Sequence, residues 1–235
     1  MEPKILIIIP AFNESGSIAK LIQRIRVSIP RADLVVINDG SSDNTEEIAL
    51  KAGAPVASLP CNLGIGGSVQ TGYQIAFENG YDVAVQIDGD GQHDPSYVTA
   101  LIQPILEDRL DLCIGSRFLN PNSESFRSTF LRRFGILFFC RLLGLLTGLH
   151  VTDPTSGFRA TGKTLIRAFA LYYPVDFPEP EAIKIAQRHS ARVGEIPVLM
   201  HERQGGRSSI RYFATLYYMI KVTLAILIDM LKKNN

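Results

Sequence analysis

The chain opens with five consecutive apolar residues, Ile5–Ile9, closed by Pro10. A β-branched run of this kind predicts a strand buried on both faces. Ile18, Leu21, Ile22 and Ile25 then recur three and four apart, which predicts one apolar face of a helix. The alternation continues: Asp33–Asp39 (DLVVIND) reads as a second buried strand, and Asp43 with Glu46 three residues on predicts a capped helix that ends at Gly53. Val56–Leu59 predicts a strand, Gly67–Glu78 a helix stopped at Gly80, and Asp82–Asp88 another strand. Asp94 and Pro95 read as the N-cap and first residue of a helix to Asp108, and Asp111–Ser116 as a short strand. Strand and helix alternate through the whole first half. The expected fold is therefore α/β, an open, mainly parallel sheet with helices on both faces. The second half is too irregular for its strands to be placed.

The two most apolar tracts lie late. Phe134–His150 contains Arg141, and Ile210–Lys233 contains Arg211, Lys221 and Asp229. A membrane-spanning helix needs about 20 predominantly apolar residues, and a central lysine is costly there. Wound as a helix, Ile210–Lys233 places Arg211, Thr215, Tyr218, Asp229 and Lys232 near one line, with Lys221 on its flank. A narrow polar stripe opposite a wide apolar face reads as a helix lying in a membrane interface or packed on a partner, ahead of a core helix or a true span. The expected organisation is one α/β domain over residues 1–209 and an amphipathic helix over 210–235.

Composition narrows the class. A length of 235 residues suits a single domain with a sizeable core, and 46% hydrophobic with 20% charged residues excludes bulk disorder. The net charge of +1 argues against a nucleic-acid partner. Cys61, Cys113 and Cys140 lie far apart without metal-ligand spacing and read as reduced, mostly buried residues of a cytosolic protein. The first ten residues read as a strand rather than a signal peptide.

In open α/β sheets ligands bind beyond the carboxyl ends of the strands. The polar clusters fall at those ends: PAFNE after the first strand, NDGSSDNT after the second, DGDGQHD after the fourth. In the last, Asp88 and Asp90 stand one residue apart between glycines. Two carboxylates so close repel unless a cation or a donor-rich ligand lies between them, and in a tight turn both can reach one hard divalent ion, Mg²⁺ or Mn²⁺. His93 can be a further ligand, but reads first as a hydrogen-bonding turn residue. Gly64, Gly66 and Gly67 cluster before a helix, but Val69 stands where a dinucleotide fingerprint needs its third glycine, so the stretch reads as a loop-to-helix turn near a nucleotide. Asp39 can accept from a nucleobase N–H or from neighbouring backbone. Arg117, Arg132, Arg133, Arg203 and Arg207 are candidates for oxyanion or phosphate recognition. Asp176, Glu179 and Glu181 can supply a general base or simply favour a helix N-terminus. No nucleophile or zinc signature is present.

Taken together, IIIPAFNE, VINDGSSDNT, NLGIGGSVQTG, QIDGDGQHDP, IGSRF and TDPTSGFRA resemble the family-2 inverting glycosyltransferases of the GT-A fold; DPTSGFRA and the late ERQGGRSSI resemble, more narrowly, the dolichol- and polyprenyl-phosphate sugar synthases. The resemblance implies a nucleotide site lined by Pro10, Ala11, Asn13, Glu14 and Gly64, with Asp39 reading a base, expected to be uracil. Asp88 and Asp90 would hold Mg²⁺ or Mn²⁺ on the donor's diphosphate, with Gln92 beside them and Arg203 clamping the diphosphate. Arg117, Arg132, Arg133 and Ser156 would face an acceptor phosphate. Ser209 stands where the synthases usually carry lysine, and the FPEPEA segment also departs from their pattern. The expected activity is metal-dependent sugar transfer to a polyprenyl phosphate for cell-envelope glycans. The enzyme would sit peripherally on the cytoplasmic face of the membrane, with a small membrane protein or a second copy as partner. With a hydroxyl acceptor instead, Glu179 or Glu181 would be the base. An idle nucleotide-sugar-binding subunit and a nucleotidyltransferase are the rival classes.

Overall fold

The computed structural model describes residues 2–119, 135, 137, 138, 140–142, 144, 145, 148–175 and 178–201. Seven strands form one sheet: β1 Ile5–Ala11, β2 Asp33–Asn38, β3 Val56–Ser58, β4 Val83–Gln86, β5 Leu112–Ser116, β6 Arg159–Gly162 and β7 Val193–Pro197. Their order is β3-β2-β1-β4-β6-β5-β7. β6 runs antiparallel to both its neighbours and every other pairing is parallel. The mainly parallel sheet is as the sequence predicts; the antiparallel β6 lies in the half whose strands could not be placed.

The alternation along β1 explains why its run is apolar throughout. Leu6 and Ile8 pack in one layer with helix α3 (Gly64–Glu78), helix α5 (Lys163–Leu171) and helix α6 (Pro178–Arg188). Ile7 and Ile9 pack in the other with helix α1 (Ile18–Ser28), helix α2 (Thr45–Lys51) and helix α4 (Val98–Leu106). Layers of helices thus cover both faces. At the crossing of α3 over β1 only a glycine fits, since a Cβ on Gly72 would lie 2.2 Å from Ile8 Cγ2. Gly72→Ala is expected to destabilise the fold by about 1–3 kcal/mol through overpacking, read as a lowered urea midpoint.

Several boundaries move for identifiable reasons. β1 continues through Pro10 to Ala11. The Pro10 carbonyl accepts from Gly89 N–H, on the β4 side. The missing N–H of Pro10 faces the same side, beyond the last paired residue of β4, so no ladder bond is lost. Helix α3 starts at Gly64 rather than Gly67, because Asp39 caps it from across the sheet edge. Asp43 accepts from the amides of Thr45 and Ser15, whereas Glu46 takes a bond from Asn38 instead of closing a capping box. The helix expected from Pro95 begins as a 3-10 turn, Pro95–Tyr97, with Asp94 accepting from Ser96 N–H. Cys113 is buried, but Cys61 is exposed and Cys140 half-buried. The 210–235 helix falls outside the described residues; among those described, no helix is long and apolar enough to cross a membrane.

Candidate active site

Strand order reverses direction at the β1/β4 pair: β2 and β3 lie to one side of β1, β4 and the later strands to the other. A crevice opens at such a switch point, beyond the carboxyl ends. Residues 12–14 leave β1 and Asp88–Asp90 follow β4 at that position.

The turn carrying the two aspartates is held from several directions. Gln86 Nε2 donates to Asp88 Oδ1 (3.0 Å), and Asp88 N–H donates to His93 Nδ1 (3.1 Å). His93 is buried, stacked on Phe158 at 4.9 Å between ring centroids, with Nε2 3.8 Å from Asp88 Oδ2. It serves the turn as a hydrogen-bonding residue. Asp90 Oδ1 accepts from Gln92 N–H (3.0 Å). The chain leaving β7 then docks on this turn: His201 N–H donates to the Gln92 carbonyl (2.9 Å), Gln92 Nε2 to the His201 carbonyl (3.3 Å), and His93 and Met200 form an antiparallel bridge. Arg203, two residues on, lies outside the described residues, as do Asp176, Arg132 and Arg133.

The β1 loop is laced to the loop after β2. Asn13 N–H donates to Ser41 Oγ, Glu14 N–H to Thr45 Oγ1, and Ser42 N–H to Asn13 Oδ1. Asn13 sits at φ 56°, a left-handed conformation that asparagine tolerates. Asp39 accepts from Leu63 N–H at 2.7 Å and Gly64 N–H at 3.0 Å, one bond to each carboxylate oxygen. Of its two readings the structure displays the backbone one. The same bonds take the Gly64 amide, and Gly66 N–H goes to the Val175 carbonyl. The first turn of α3 therefore spends these amides on internal bonds.

On the far wall, Arg117 is buried in a two-pronged ion pair. Nε lies 2.6 Å from Asp153 Oδ2 and Nη2 2.7 Å from Oδ1, with Thr155 Oγ1 at 2.9 Å. The direct acceptor contact expected of Arg117 thus competes with a carboxylate that is wholly buried. Ser156 is sealed in the same turn, its Oγ accepting from Phe158 N–H. Glu195 on β7 fastens the segment by accepting from the amides of Thr152 and Asp153.

Two groups on this wall escaped the sequence reading as site residues. Asp153 carries no local pattern that marks it as buried. Arg159, 1% exposed on β6, donates to the carbonyls of Ser156 (2.6 Å), Pro154 (3.0 Å) and Glu179 (2.8 Å). An arginine at the start of an otherwise small and apolar strand was the available signal.

Glu179 and Glu181 stand in the first turn of α6. Burial pushes the Glu179 carboxyl up to about 7, with Arg159 pulling it back and Asp88 adding to the rise. A carboxyl raised this way keeps its proton in the folded chain over a range where the unfolded chain has lost it. Its contribution to stability is whole below the ordinary value of 4.5 and falls away as pH rises through about 7. Glu179→Gln is expected to stabilise the protein relative to the natural sequence above pH 7 but not at pH 4, in paired urea titrations.

The profile of glycosyl transferase family 2 matches residues 6–170. The chain belongs to glycosyl transferase family 2. Among curated relatives, this family-2 transferase is 31% identical over 213 residues to a UDP-N-acetylglucosamine–dolichyl-phosphate N-acetylglucosaminyltransferase of Methanococcus voltae, covering 83% of this chain and 84% of that one. It is 30% identical over 220 residues to an undecaprenyl-phosphate mannosyltransferase of Micrococcus luteus, covering 88% and 87%. Glucosyl-3-phosphoglycerate synthase of Mycobacterium tuberculosis, crystallised with Mn²⁺, uridine diphosphate and glucosyl-3-phosphoglycerate, shares the fold at a TM-score of 0.72 and 22% identity, over 97% of this chain and 80% of that one. The transferase thus has the GT-A fold.

Proposed function

We propose that this transferase moves a sugar from a uridine diphosphate sugar to the phosphate of a polyprenyl carrier, with inversion at the anomeric carbon, for cell-envelope glycans. The observation that carries the reading is the likeness, across 83–88% of the chain, to enzymes named for dolichyl and undecaprenyl phosphates. The fold neighbour's Mn²⁺ and uridine diphosphate support the donor half.

The residues present fit a hard divalent ion. Asp88 and Asp90 offer carboxylate oxygens, the Asp88 side chain is one-third exposed, and Gly157 leaves open the space where a Cβ would come within 3.0–3.1 Å of the Asp88 oxygens. The Gln86 Oε1 atom, buried behind Asp88, has no hydrogen-bond partner among the described residues. No cluster of three or more candidate ligands occurs among the described residues. When bound, Mg²⁺ or Mn²⁺ supplies positive charge against the leaving diphosphate.

The chain's own residues do the rest. The segment Pro10–Glu14 and Asp39 line the nucleoside side, Gln92 holds the chain at His201 against the aspartate turn, and Arg203 neutralises the diphosphate. Arg132 and Arg133 face the acceptor phosphate. Arg117, through Asp153, holds the wall at 152–156 in place. A lipid phosphate is already an anionic nucleophile and needs no protein base. Residues 210–235 rest in the membrane interface on the cytoplasmic side, or against a small membrane protein or second copy.

The deciding experiment is nucleoside diphosphate release from a panel of nucleotide sugars with Mn²⁺, with and without a short polyprenyl phosphate. Release that requires the lipid phosphate is the expected result; release indifferent to it overturns the acceptor assignment. One observation favours a second reading with a hydroxyl acceptor: burial pushes the Glu179 carboxyl up to about 7, with the Asp88 charge adding to the rise, a range where a general base works well. On that reading Glu179→Gln lowers the rate about 10²–10⁴-fold, whereas with a lipid phosphate acceptor the rate stays within about threefold of the natural enzyme, since no proton needs removing from an ionised phosphate.

A further inference from the structure

Ser17 occupies the N-cap of α1, where a serine ordinarily accepts from an amide of the first turn. Its side chain makes no such bond. Oγ lies 2.7 Å from the Gly89 carbonyl oxygen, 3.1 Å from Glu14 Oε2 and 3.2 Å from the Glu14 carbonyl oxygen. A hydroxyl has one proton to give, and the shortest of the three contacts directs it to Gly89. Ser17 is 2% exposed, so the bond is sheltered from solvent. Gly89 is also held at its other polar atom, since its N–H donates to the Pro10 carbonyl at 3.1 Å. The single residue joining Asp88 to Asp90 is thus gripped by β1 from one side and by the start of α1 from the other.

We propose that Ser17 is a positioning residue for the metal centre, fixing the Gly89 carbonyl and thereby the separation and aim of the Asp88 and Asp90 carboxylates, without touching cation or substrate. The inference rests on the reading that these two aspartates hold a divalent cation. Like charges one residue apart push each other away, and a turn free to relax would let them diverge before a cation arrives. A serine diverted from its usual capping role identifies the restraint that opposes this. Outer partners that orient metal ligands are worth about 10–100-fold in metal affinity.

The test is Mn²⁺ binding to the full chain, followed through the electron paramagnetic resonance signal of the free ion, with and without uridine diphosphate. Ser17→Ala is expected to raise the Mn²⁺ dissociation constant about 10–100-fold, and Ser17→Thr, which keeps the hydroxyl, to recover most of the loss. Ile22→Val loosens the packing of α1 away from the turn and is expected to leave Mn²⁺ binding unchanged. Natural protein that binds Mn²⁺ while Ser17→Ala binds it equally well overturns the role of Ser17 and leaves the metal site standing. Equal weakening by Ile22→Val, or no recovery with threonine, overturns it too. Natural protein that binds no Mn²⁺ under either condition removes the metal site itself, and this inference with it.

Discussion

Asp90→Ala is expected to lower nucleoside diphosphate release by on the order of 10³-fold, with little change in the unfolding midpoint. Asp90 is half-buried at the crevice and stands outside the hydrophobic core. Its carboxylate has a second task, since Oδ1 accepts the Gln92 amide and helps shape the turn. Asp90→Asn separates the two tasks, because the amide oxygen can still accept from Gln92 while the charge is gone. Equal inactivity of both variants means that charge toward a cation is what matters. An active Asp90→Asn variant would reduce Asp90 to a turn residue and leave the diphosphate to the arginines.

The second large effect is on stability. Asp153→Ala strips the buried Arg117 guanidinium of two charged hydrogen bonds and leaves it facing Thr155. Breaking such a pair by removing one partner costs about 3–5 kcal/mol, because the remaining charge stays buried. The urea midpoint should fall accordingly. Removing both partners, as Arg117→Met with Asp153→Leu, should return most of that loss, since no ion is left to desolvate. The double variant also reports on function: if it is stable yet inactive, Arg117 acts on substrate as well as on the wall. An unmoved midpoint in Asp153→Ala would show that this ion pair contributes nothing to the fold.

What was legible in the sequence divides by how local the signal is. The parallel half was readable because the centres of β1, β2 and β4 are buried on both faces and so form unbroken apolar runs. The strand-end clusters were readable because parallel connectivity places every such loop on one edge. β6 was not, since its four residues Arg159–Gly162 show no run, and its burial depends on lying between β4 and β5. The same limit applies to side chains. Asp88 and Asp90 announce themselves by spacing, while Asp153 and Arg117 are 36 positions apart and meet only because β5 and the turn before β6 converge. Gly64 is the same case in the backbone: no local pattern reveals that Asp39, 25 positions earlier, holds its amide.

The bonds from Leu63 and Gly64 to Asp39 give the protein a built-in reporter. An amide proton held by a carboxylate resonates in a way that follows the charge on that oxygen, and these two amides share one carboxylate between them. Anything that engages Asp39 must redistribute its lone pairs and move both resonances together. On the proposed role of Asp39 at the base, two paired shifts in a nitrogen-labelled sample of the 235-residue chain would report nucleoside occupancy by ligands that are never turned over. Candidate donors could thus be ranked by the base they carry before any sugar is transferred.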